Sequence, residues 1–445
     1  MYDQEKVLII GEKINLAHFS RYNVIGVIGS VLDEARVVER YSCEYLLQVP
    51  SGIHLIVSDE TWDFNTICEY YVYMKKYGLE LGKDYVFFSM IQYADTNIIY
   101  KLCVKYSIDF FTLMKNIIGD RRFVVFWGNC QMHAVANLII NNKEFDQSFF
   151  TCKIPRFWIT EKREIYEGHL FFESKILKMA NFLFTQEVGG SNKYGFINST
   201  EFVISQLTDK CKVLKVTKLY FEGYFPQLSK SFGGYSLQKS TGLSFGGWID
   251  KEVLKLLVDG HTPEEIVKIV SAKDFYSYEA VRNRIRENLN SFNERENKTK
   301  VDIGMADYLY NNYDNYVMFA TENHPTRRVM LELSYRILKT LGIKRTIIED
   351  ESKNEICYPC PPKMYHLIYP AVLGALGLKE IDRDYYSSLS LAKDDIRILG
   401  LDIYDCSKWE QDKKTGKYNI NLCLKFDEYI WLYAKVLSVL IRFTL

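Results

Sequence analysis

The sequence has 445 residues, a length that favours two or three domains over a single one. Lysine plus arginine and aspartate plus glutamate both number 56, so no net charge would steer the protein onto nucleic acid or an anionic membrane. Ten cysteines at irregular spacing and the acidic start MYDQEKVLII fit neither a disulfide framework nor a signal peptide, so we expect free thiols and a cytoplasmic location.

The N-terminal part of the chain alternates short apolar runs with helical patterns. The runs are KVLII (6–10), VIGVIGS (24–30), HLIVSDE (54–60) and YVFFSMI (85–91). Such strands, separated by helices, indicate a parallel sheet covered on both faces, so we predict a Rossmann-like domain over residues 1–118. The stretch after the first strand has one glycine, Gly11, where a dinucleotide fingerprint needs three. We therefore expect a degenerate scaffold or docking domain without ordinary NAD binding.

A second α/β domain is predicted over residues 119–445. It begins with the strand FVVFW (123–127), a turn, and the helix QMHAVANLIIN. The apolar runs LFFES (170–174), FLFTQEV (182–188) and KVLKV (212–216) are further predicted strands.

The rest of this domain is predicted to be mainly helical. A helical region covers 248–300, where Thr262 can cap a helix and Pro263 can occupy its first turn. Another helix covers TRRVMLELSYRILKTLG, and a C-terminal tail covers 345–445. The final stretch YIWLYAKVLSVLIRFTL is shorter than the roughly 20 apolar residues of a membrane span and carries Lys435 and Arg442. We expect this stretch to be a helix packed on the body, and peripheral attachment to the inner membrane face is the alternative.

The turn after strand 123–127 reads Gly128-Asn129-Cys130-Gln131. It places Cys130 beyond the end of a strand and at the start of a helix, where unpaired N–H groups and the helix dipole favour a thiolate. Gly128 permits the tight turn, and Asn129 and Gln131 supply neutral hydrogen-bond donors. The same pattern also fits a small buried cysteine without reactivity, so the sequence leaves both roles open.

His324, in TENHPT (321–326), is the candidate general base. Pro325 suits the first turn of the following helix, which would place His324 at the helix N-terminus. The helix dipole there favours the neutral imidazole, the form that accepts a proton. His133 is the rival, although its position predicts that it points along the helix surface. A purely structural role for His324 is also open.

Four ordered blocks carry a resemblance to a known family. They are GNCQ after a strand, TQEVGGSNKYG followed by ST, KLYFEGYFPQL, and TENHPT before a long helix. Together with the later IYPAVLGALGL they resemble the WcbI family of capsular polysaccharide biosynthesis enzymes, over about residues 122–342. The layout also resembles SGNH hydrolases, with Cys130 in place of serine. Those hydrolases have aspartate three residues before the histidine, where this chain has Thr321, so the carboxylate that would orient His324 stays open.

The resemblance implies that the protein binds coenzyme A or acetyl-CoA as cosubstrate and transfers the acetyl group to a sugar hydroxyl. Cys130 would attack the thioester and His324 would deprotonate the acceptor hydroxyl. Direct transfer, with Cys130 only lining the pocket, is the alternative. Other side chains would orient substrate or stabilise the oxyanion. These candidates are Gly128, Asn129, Gln131, Gln186, Tyr194 and Asn323.

Coenzyme A carries phosphates, which a neutral protein must hold with local basic residues or helix N-termini. The candidates are Arg156, Arg327 and Arg328. Cys357 and Cys360 form a CxxC motif without a second pair of suitably spaced ligands, so no metal site is predicted. We expect a carbohydrate acceptor and other polysaccharide-biosynthesis proteins as partners. The alternative functions are an SGNH-like carbohydrate esterase and a non-catalytic carbohydrate-binding or assembly factor.

Overall fold

A computed structural model describes most of the chain. The described residues are 6–14, 23–31, 39–41, 46, 49, 53–58, 64–87, 94–155, 162–189, 195–230, 248–344, 365–379, 385–391, 410–411 and 418–444. The chain divides into two compact units. Unit 1 comprises Met1–Lys218, Val301–Ile303 and Met330–Lys353, and unit 2 comprises Leu219–Lys300, Gly304–Val329 and Asn354–Leu445.

The first sheet of unit 1 is built from the N-terminal strands. They are β1 (Lys6–Ile14), β2 (Asn23–Val31), β3 (Glu39–Tyr41), β4 (Ile53–Val57) and β5 (Tyr85–Phe87). Their order is β3-β2-β1-β4-β5, and every neighbouring pair is parallel. The parallel sheet predicted from the apolar runs is therefore confirmed. Residues 88–91 of the predicted fourth strand lie outside the described residues.

A second parallel sheet in unit 1 carries the GNCQ turn. Its strands are β6 (Ala94–Asp95), β7 (Arg122–Trp127), β8 (Phe149–Lys153), β9 (Phe182–Thr185) and β10 (Lys212–Lys215). Their order is β10-β9-β7-β8-β6, again with all pairs parallel. Strands β7, β9 and β10 confirm three of the predicted strands, and the α/β fold class is confirmed with them.

Among the described residues, seven α-helices belong wholly to unit 1. They are α1 (Phe64–Lys76), α2 (Thr96–Tyr106), α3 (Phe110–Ile118), α4 (Cys130–Ile139), α5 (Lys143–Ser148), α6 (Lys162–Glu173) and α7 (Thr200–Ser205). The strand predicted at 170–174 is wrong, because Leu170 and Phe171 are buried from the last turn of α6. A run of only three apolar residues does not separate a strand from a buried helical face.

One apolar core runs through unit 1. It joins residues of the first sheet, such as Leu8 and Val57, with residues of the second sheet, such as Val125 and Leu183. All four side chains are almost completely buried. The predicted domain boundary after residue 118 falls inside this unit, between α3 and β7, and stays a prediction.

The described part of unit 2 is mainly helical and contains three small antiparallel sheets. Its helices are α8 (Lys251–Val258), α9 (Pro263–Val270), α10 (Tyr278–Thr299), α11 (Ala306–Asn312), α13 (Pro370–Leu376) and α14 (Phe426–Thr444), while the residues of α12 (Arg327–Thr340) are divided between the units. Its strands are β11 (Leu228–Lys230), β12 (Trp248–Asp250), β13 (Phe319–Thr321), β14 (His324–Pro325), β15 (Tyr385–Leu391), β16 (Glu410–Gln411) and β17 (Tyr418–Leu424).

Local sequence signals explain how two of these helices begin and pack. Thr262 and Glu265 form the reciprocal capping box that starts α9, with Pro263 in its first turn, as predicted. The C-terminal helix α14 packs against α9 and buries Ile430 and Tyr433 completely, which confirms the predicted packed helix. In the part of the chain that the structure describes, no helix combines the length and apolar character of a membrane span.

Candidate active site

The GNCQ turn has the predicted geometry of a helix N-terminus. Asn129 is the N-cap of α4, and its Oδ1 accepts a hydrogen bond of 2.9 Å from the Gln131 N–H. Cys130 is the first helical residue and is partly buried. The Gln131 N–H is therefore engaged within the cap, and the oxyanion role of Gln131 stays a prediction. The Asn129 Nδ2 group has no hydrogen-bond partner among the described residues.

Gln186 anchors this turn from the neighbouring strand. It follows β9, whose Thr185 pairs with Trp127 of β7, and its side chain is fully buried. Its Nε2 donates to Gln131 Oε1 and to the Thr217 carbonyl, both at 2.9 Å. Its Oε1 accepts from the Asn129 N–H at 3.3 Å. Gln186 was expected to orient a ligand, but the contacts within unit 1 show that it holds the cysteine turn in place.

The close approach of Gln186 explains why residue 128 is a glycine. A Cβ on Gly128 would lie 2.6 Å from Met132 Cγ and 2.8 Å from Gln186 Oε1. Gly128 does not need a left-handed backbone conformation, so the space beside it is the reason, rather than the tight turn that we expected.

His324 lies in a hairpin rather than in the first turn of a helix. Strand β14 pairs antiparallel with β13, and the Thr326 N–H extends the pairing by donating to the Met318 carbonyl at 2.8 Å. Helix α12 therefore begins at Arg327, and the expectation that Pro325 occupies its first turn is wrong. The backbone hydrogen bond at Thr326 delays the start of the helix.

The His324 ring contacts the hydroxyl of Thr321, at the position where SGNH hydrolases have an aspartate. Thr321 Oγ1 lies 2.7 Å from His324 Nδ1 and 3.1 Å from Asn323 Oδ1. Burial lowers the pKa of His324 below its ordinary value, with Glu322 raising it and His366 lowering it further. The neutral imidazole that we expected is thus favoured, but by burial more than by a helix dipole.

Glu322, in the turn of this hairpin, forms a carboxylate–histidine pair with the buried His366. Glu322 Oε2 is 2.8 Å from His366 Nε2, and the Trp248 side chain also hydrogen-bonds to Glu322. Burial alone would raise the pKa of Glu322, but the hydrogen bond and the charge of His366 outweigh it and lower the pKa. His366 was not among the predicted site residues, although it stands two residues before the IYPAVLGALGL block and could have been singled out there.

The structure describes some of the other residues considered in the sequence analysis, and others lie outside the described ranges. Arg327 begins α12 and is partly buried, while the exposed Arg328 stacks its guanidinium 5.1 Å from the Tyr316 ring. Arg156 and Tyr194 lie outside the described residues, as do Cys357 and Cys360. His133 is buried instead of pointing along the helix surface. Within the ranges given above, no group of three or more His, Cys, Asp or Glu side chains could hold a metal ion.

The candidate catalytic residues belong to two different units. Cys130, Asn129, Gln131 and Gln186 are in unit 1. His324, with Thr321, Asn323, Glu322 and His366 around it, is in unit 2. Each cluster has internal hydrogen bonds that fix its own geometry.

Comparison with known proteins gives one consistent result. The family of the polysaccharide biosynthesis enzyme WcbI matches residues 123–346, just over half of the chain. A solved structure of WcbI is similar at a TM-score of 0.50 and 16 % identity, covering 72 % of this chain and 94 % of that one. It is described as a novel polysaccharide biosynthesis enzyme, without a disulfide bond between coenzyme A and one of its cysteines. At 16 % identity, the similarity between the two structures shows a shared fold alone. None of the curated proteins matches.

Proposed function

The chain belongs to the WcbI family of polysaccharide biosynthesis enzymes, and on that premise we propose that it transfers an acyl group, acetyl in the simplest case, from coenzyme A to a sugar hydroxyl. The product would serve capsular or cell-envelope polysaccharide synthesis. The observation that carries the proposal is the position of Cys130, which is partly buried and begins helix α4 directly after a turn held by Gln186 and capped by Asn129.

 The turn sits at the end of a parallel strand, the edge of a sheet at which ligands usually bind.

The proposed chemistry has two steps. The Cys130 sulfur anion attacks the thioester carbonyl carbon, the bond between that carbon and the coenzyme A sulfur breaks, and coenzyme A leaves as its thiolate. His324 Nε2 then takes the proton of an acceptor hydroxyl, whose oxygen attacks the acyl-cysteine and releases Cys130. Direct transfer from the thioester to the sugar, with Cys130 lining the pocket, is the alternative route. The solved WcbI structure is described with coenzyme A and a cysteine, which favours a thiol beside this cosubstrate.

The phosphates of coenzyme A need a local cationic site, because the chain has no net charge. We propose Arg327 and Arg328 at the start of α12 for this role, together with Arg156. Replacing Arg327 or Arg328 with alanine should weaken the binding of coenzyme A more than that of dephospho-coenzyme A, as measured by calorimetry. Equal losses for the two ligands would contradict a contact with the 3′-phosphate, the group that dephospho-coenzyme A lacks. The acceptor is a carbohydrate, and other polysaccharide-biosynthesis proteins are the proposed partners.

The acyl-enzyme is the intermediate to look for. After incubation with acetyl-CoA, intact-protein mass spectrometry should find one acetyl group, and peptide mapping should place it on Cys130. The matched control is Cys211→Ser, because Cys211 is also partly buried but burial raises the pKa of its thiol to about 11. Cys130→Ser should abolish the acetyl adduct and Cys211→Ser should keep it.

Two results would contradict the proposal in different ways. Unchanged acetyl transfer by Cys130→Ala would exclude covalent catalysis and leave the direct route. If coenzyme A does not bind, while an acetylated sugar is hydrolysed, the protein is an esterase that uses water as acceptor. Failure of both activities, together with binding of the carbohydrate, would indicate the non-catalytic binding or assembly factor.

A further inference from the structure

Three neighbouring side chains of the β13–β14 hairpin form a continuous hydrogen-bond chain. The Thr321 hydroxyl contacts Asn323 Oδ1 at 3.1 Å and His324 Nδ1 at 2.7 Å. Thr321 is only 1 % exposed, so bulk water does not compete for these contacts. This row of hydrogen bonds therefore determines whether the proton of each bond lies on the Thr321 oxygen or on His324 Nδ1.

The protons follow from the chemistry of the three groups. An amide oxygen only accepts hydrogen bonds, so the Thr321 hydroxyl donates its single proton to Asn323 Oδ1. The hydroxyl oxygen then offers only lone pairs to His324, and a contact of 2.7 Å requires that Nδ1 carries a proton. A neutral His324 consequently keeps its lone pair on Nε2.

The surroundings leave Nε2 as the nitrogen available for chemistry. No group among the described residues hydrogen-bonds to His324 Nε2, and the residue is only partly buried. The adjacent carboxylate of Glu322 is held by His366 Nε2 at 2.8 Å. Neutral groups therefore orient the His324 ring at Nδ1, and the carboxylate of the same turn is engaged elsewhere.

We propose that Thr321, backed by Asn323, is a positioning residue that holds His324 in the Nδ1–H tautomer with Nε2 as the proton acceptor. The inference rests on the proposed function for the role of His324 as general base, but the tautomer itself can be measured without any activity. Orientation by a hydroxyl also places no negative charge at Nδ1, so nothing at that atom stabilises the imidazolium over the neutral base.

The first test is spectroscopic. Histidine labelled with ¹⁵N distinguishes the two tautomers by long-range proton–nitrogen correlations, and the His324 signal is identified by its loss in His324→Gln. We expect the Nδ1–H tautomer in the unmodified protein and in Thr321→Ser, which keeps the hydroxyl. Thr321→Val, which keeps the shape and removes the hydroxyl, should give the Nε2–H tautomer or a mixture of the two.

The second test is kinetic. A positioned general base typically contributes about 10²–10⁴-fold to a rate, so Thr321→Val should lower kcat by about tenfold or more and leave KM for acetyl-CoA unchanged. Thr321→Ser should restore most of the rate. The matched control is Thr326→Val in the same hairpin, because the buried Thr326 hydroxyl has no hydrogen-bond partner among the described residues. This control should alter neither the tautomer nor kcat.

The outcomes separate this inference from the proposed function. An Nε2–H tautomer in the unmodified protein overturns the inference, even if Thr321→Val does not fold. An unchanged tautomer in a folded Thr321→Val protein also overturns it. A third outcome is the expected tautomer together with full acyl transfer by His324→Gln. His324 would then not be the general base, and Thr321 would have no positioning role in the reaction. The assignment of protons to Thr321 and His324 would still hold.

Discussion

The buried amide of Gln186 allows a quantitative test of how the cysteine turn is held. Gln186→Met keeps the length of the side chain and removes three hydrogen bonds, which join it to Gln131, Thr217 and the Asn129 N–H. Gln227→Met is the matched control, because Gln227 is equally buried but makes one hydrogen bond, from its Nε2 to the Leu367 carbonyl at 2.7 Å.

The expected magnitudes follow from the groups that lose a partner. Each polar group left without a hydrogen bond costs about 1–3 kcal/mol, and three groups lose their partner, so Gln186→Met should lower the free energy of unfolding by about 3–9 kcal/mol. Gln227→Met should cost about 0–2 kcal/mol, because it also removes the buried Gln227 Oε1 atom, which has no hydrogen-bond partner in the described part of the chain. Gln186→Met should therefore be the more damaging of two chemically identical changes.

The assay combines denaturation with thiol labelling. Urea unfolding monitored by tryptophan fluorescence compares the stabilities of the two variants with that of the unmodified protein. The rate of labelling with a thiol reagent then reports on Cys130, with Cys130→Ser identifying its contribution. We expect faster labelling in Gln186→Met, because the turn loses its anchor, and an unchanged rate in Gln227→Met. Equal stabilities for the two variants, or an unchanged labelling rate in Gln186→Met, would refute the reasoning.

Three shorter predictions concern other positions. Burial raises the pKa of Asp250 to about 7, above the roughly 3.9 of an unfolded chain, so the folded state binds more protons between these values. The free energy of unfolding should therefore fall by about 3 kcal/mol as pH rises from 4 to 7. Asp250→Asn should flatten this dependence in urea titrations at several pH values, whereas an unaltered slope would contradict it. Gly128→Ala should displace the Gln186 side chain and reduce acetyl transfer, and wild-type kinetics would show that the turn tolerates a Cβ. Thr262→Ala should cost about 1 kcal/mol of stability through loss of the capping box, measured by urea denaturation, and no change would show that the cap is dispensable.

Much of unit 1 could be predicted because its strands are short, nearly continuous apolar runs. The runs at 123–127 and 212–216 became β7 and β10, and the cysteine turn followed at the expected place. The run at 170–174 was misread because its apolar residues lie on a helix whose earlier residues are polar. Local pattern identifies a buried segment more reliably than it identifies the conformation of a short one.

The site was harder to predict, because its decisive contacts join distant residues. The position of His324 depends on the hydrogen bond from Thr326 to Met318, which no local preference for proline at a helix start could reveal. The role of Gln186 depends on the register of two strands, and that of His366 on a pairing with Glu322 across 44 positions. The residue types suggested the chemistry, whereas tertiary hydrogen bonds determined which groups act on which.

The pairing of Trp127 in β7 with Thr185 in β9 restricts where residues can be inserted or deleted in these two strands. Removing one residue from β7 or β9 would shift its end by about 3.3 Å and turn every following side chain to the opposite face. The amide of Gln186 would then point away from the cysteine turn instead of bracing it. Insertions and deletions in homologues should therefore accumulate in the connecting loops, and grafting this site onto another scaffold would require both strands to be transplanted in register.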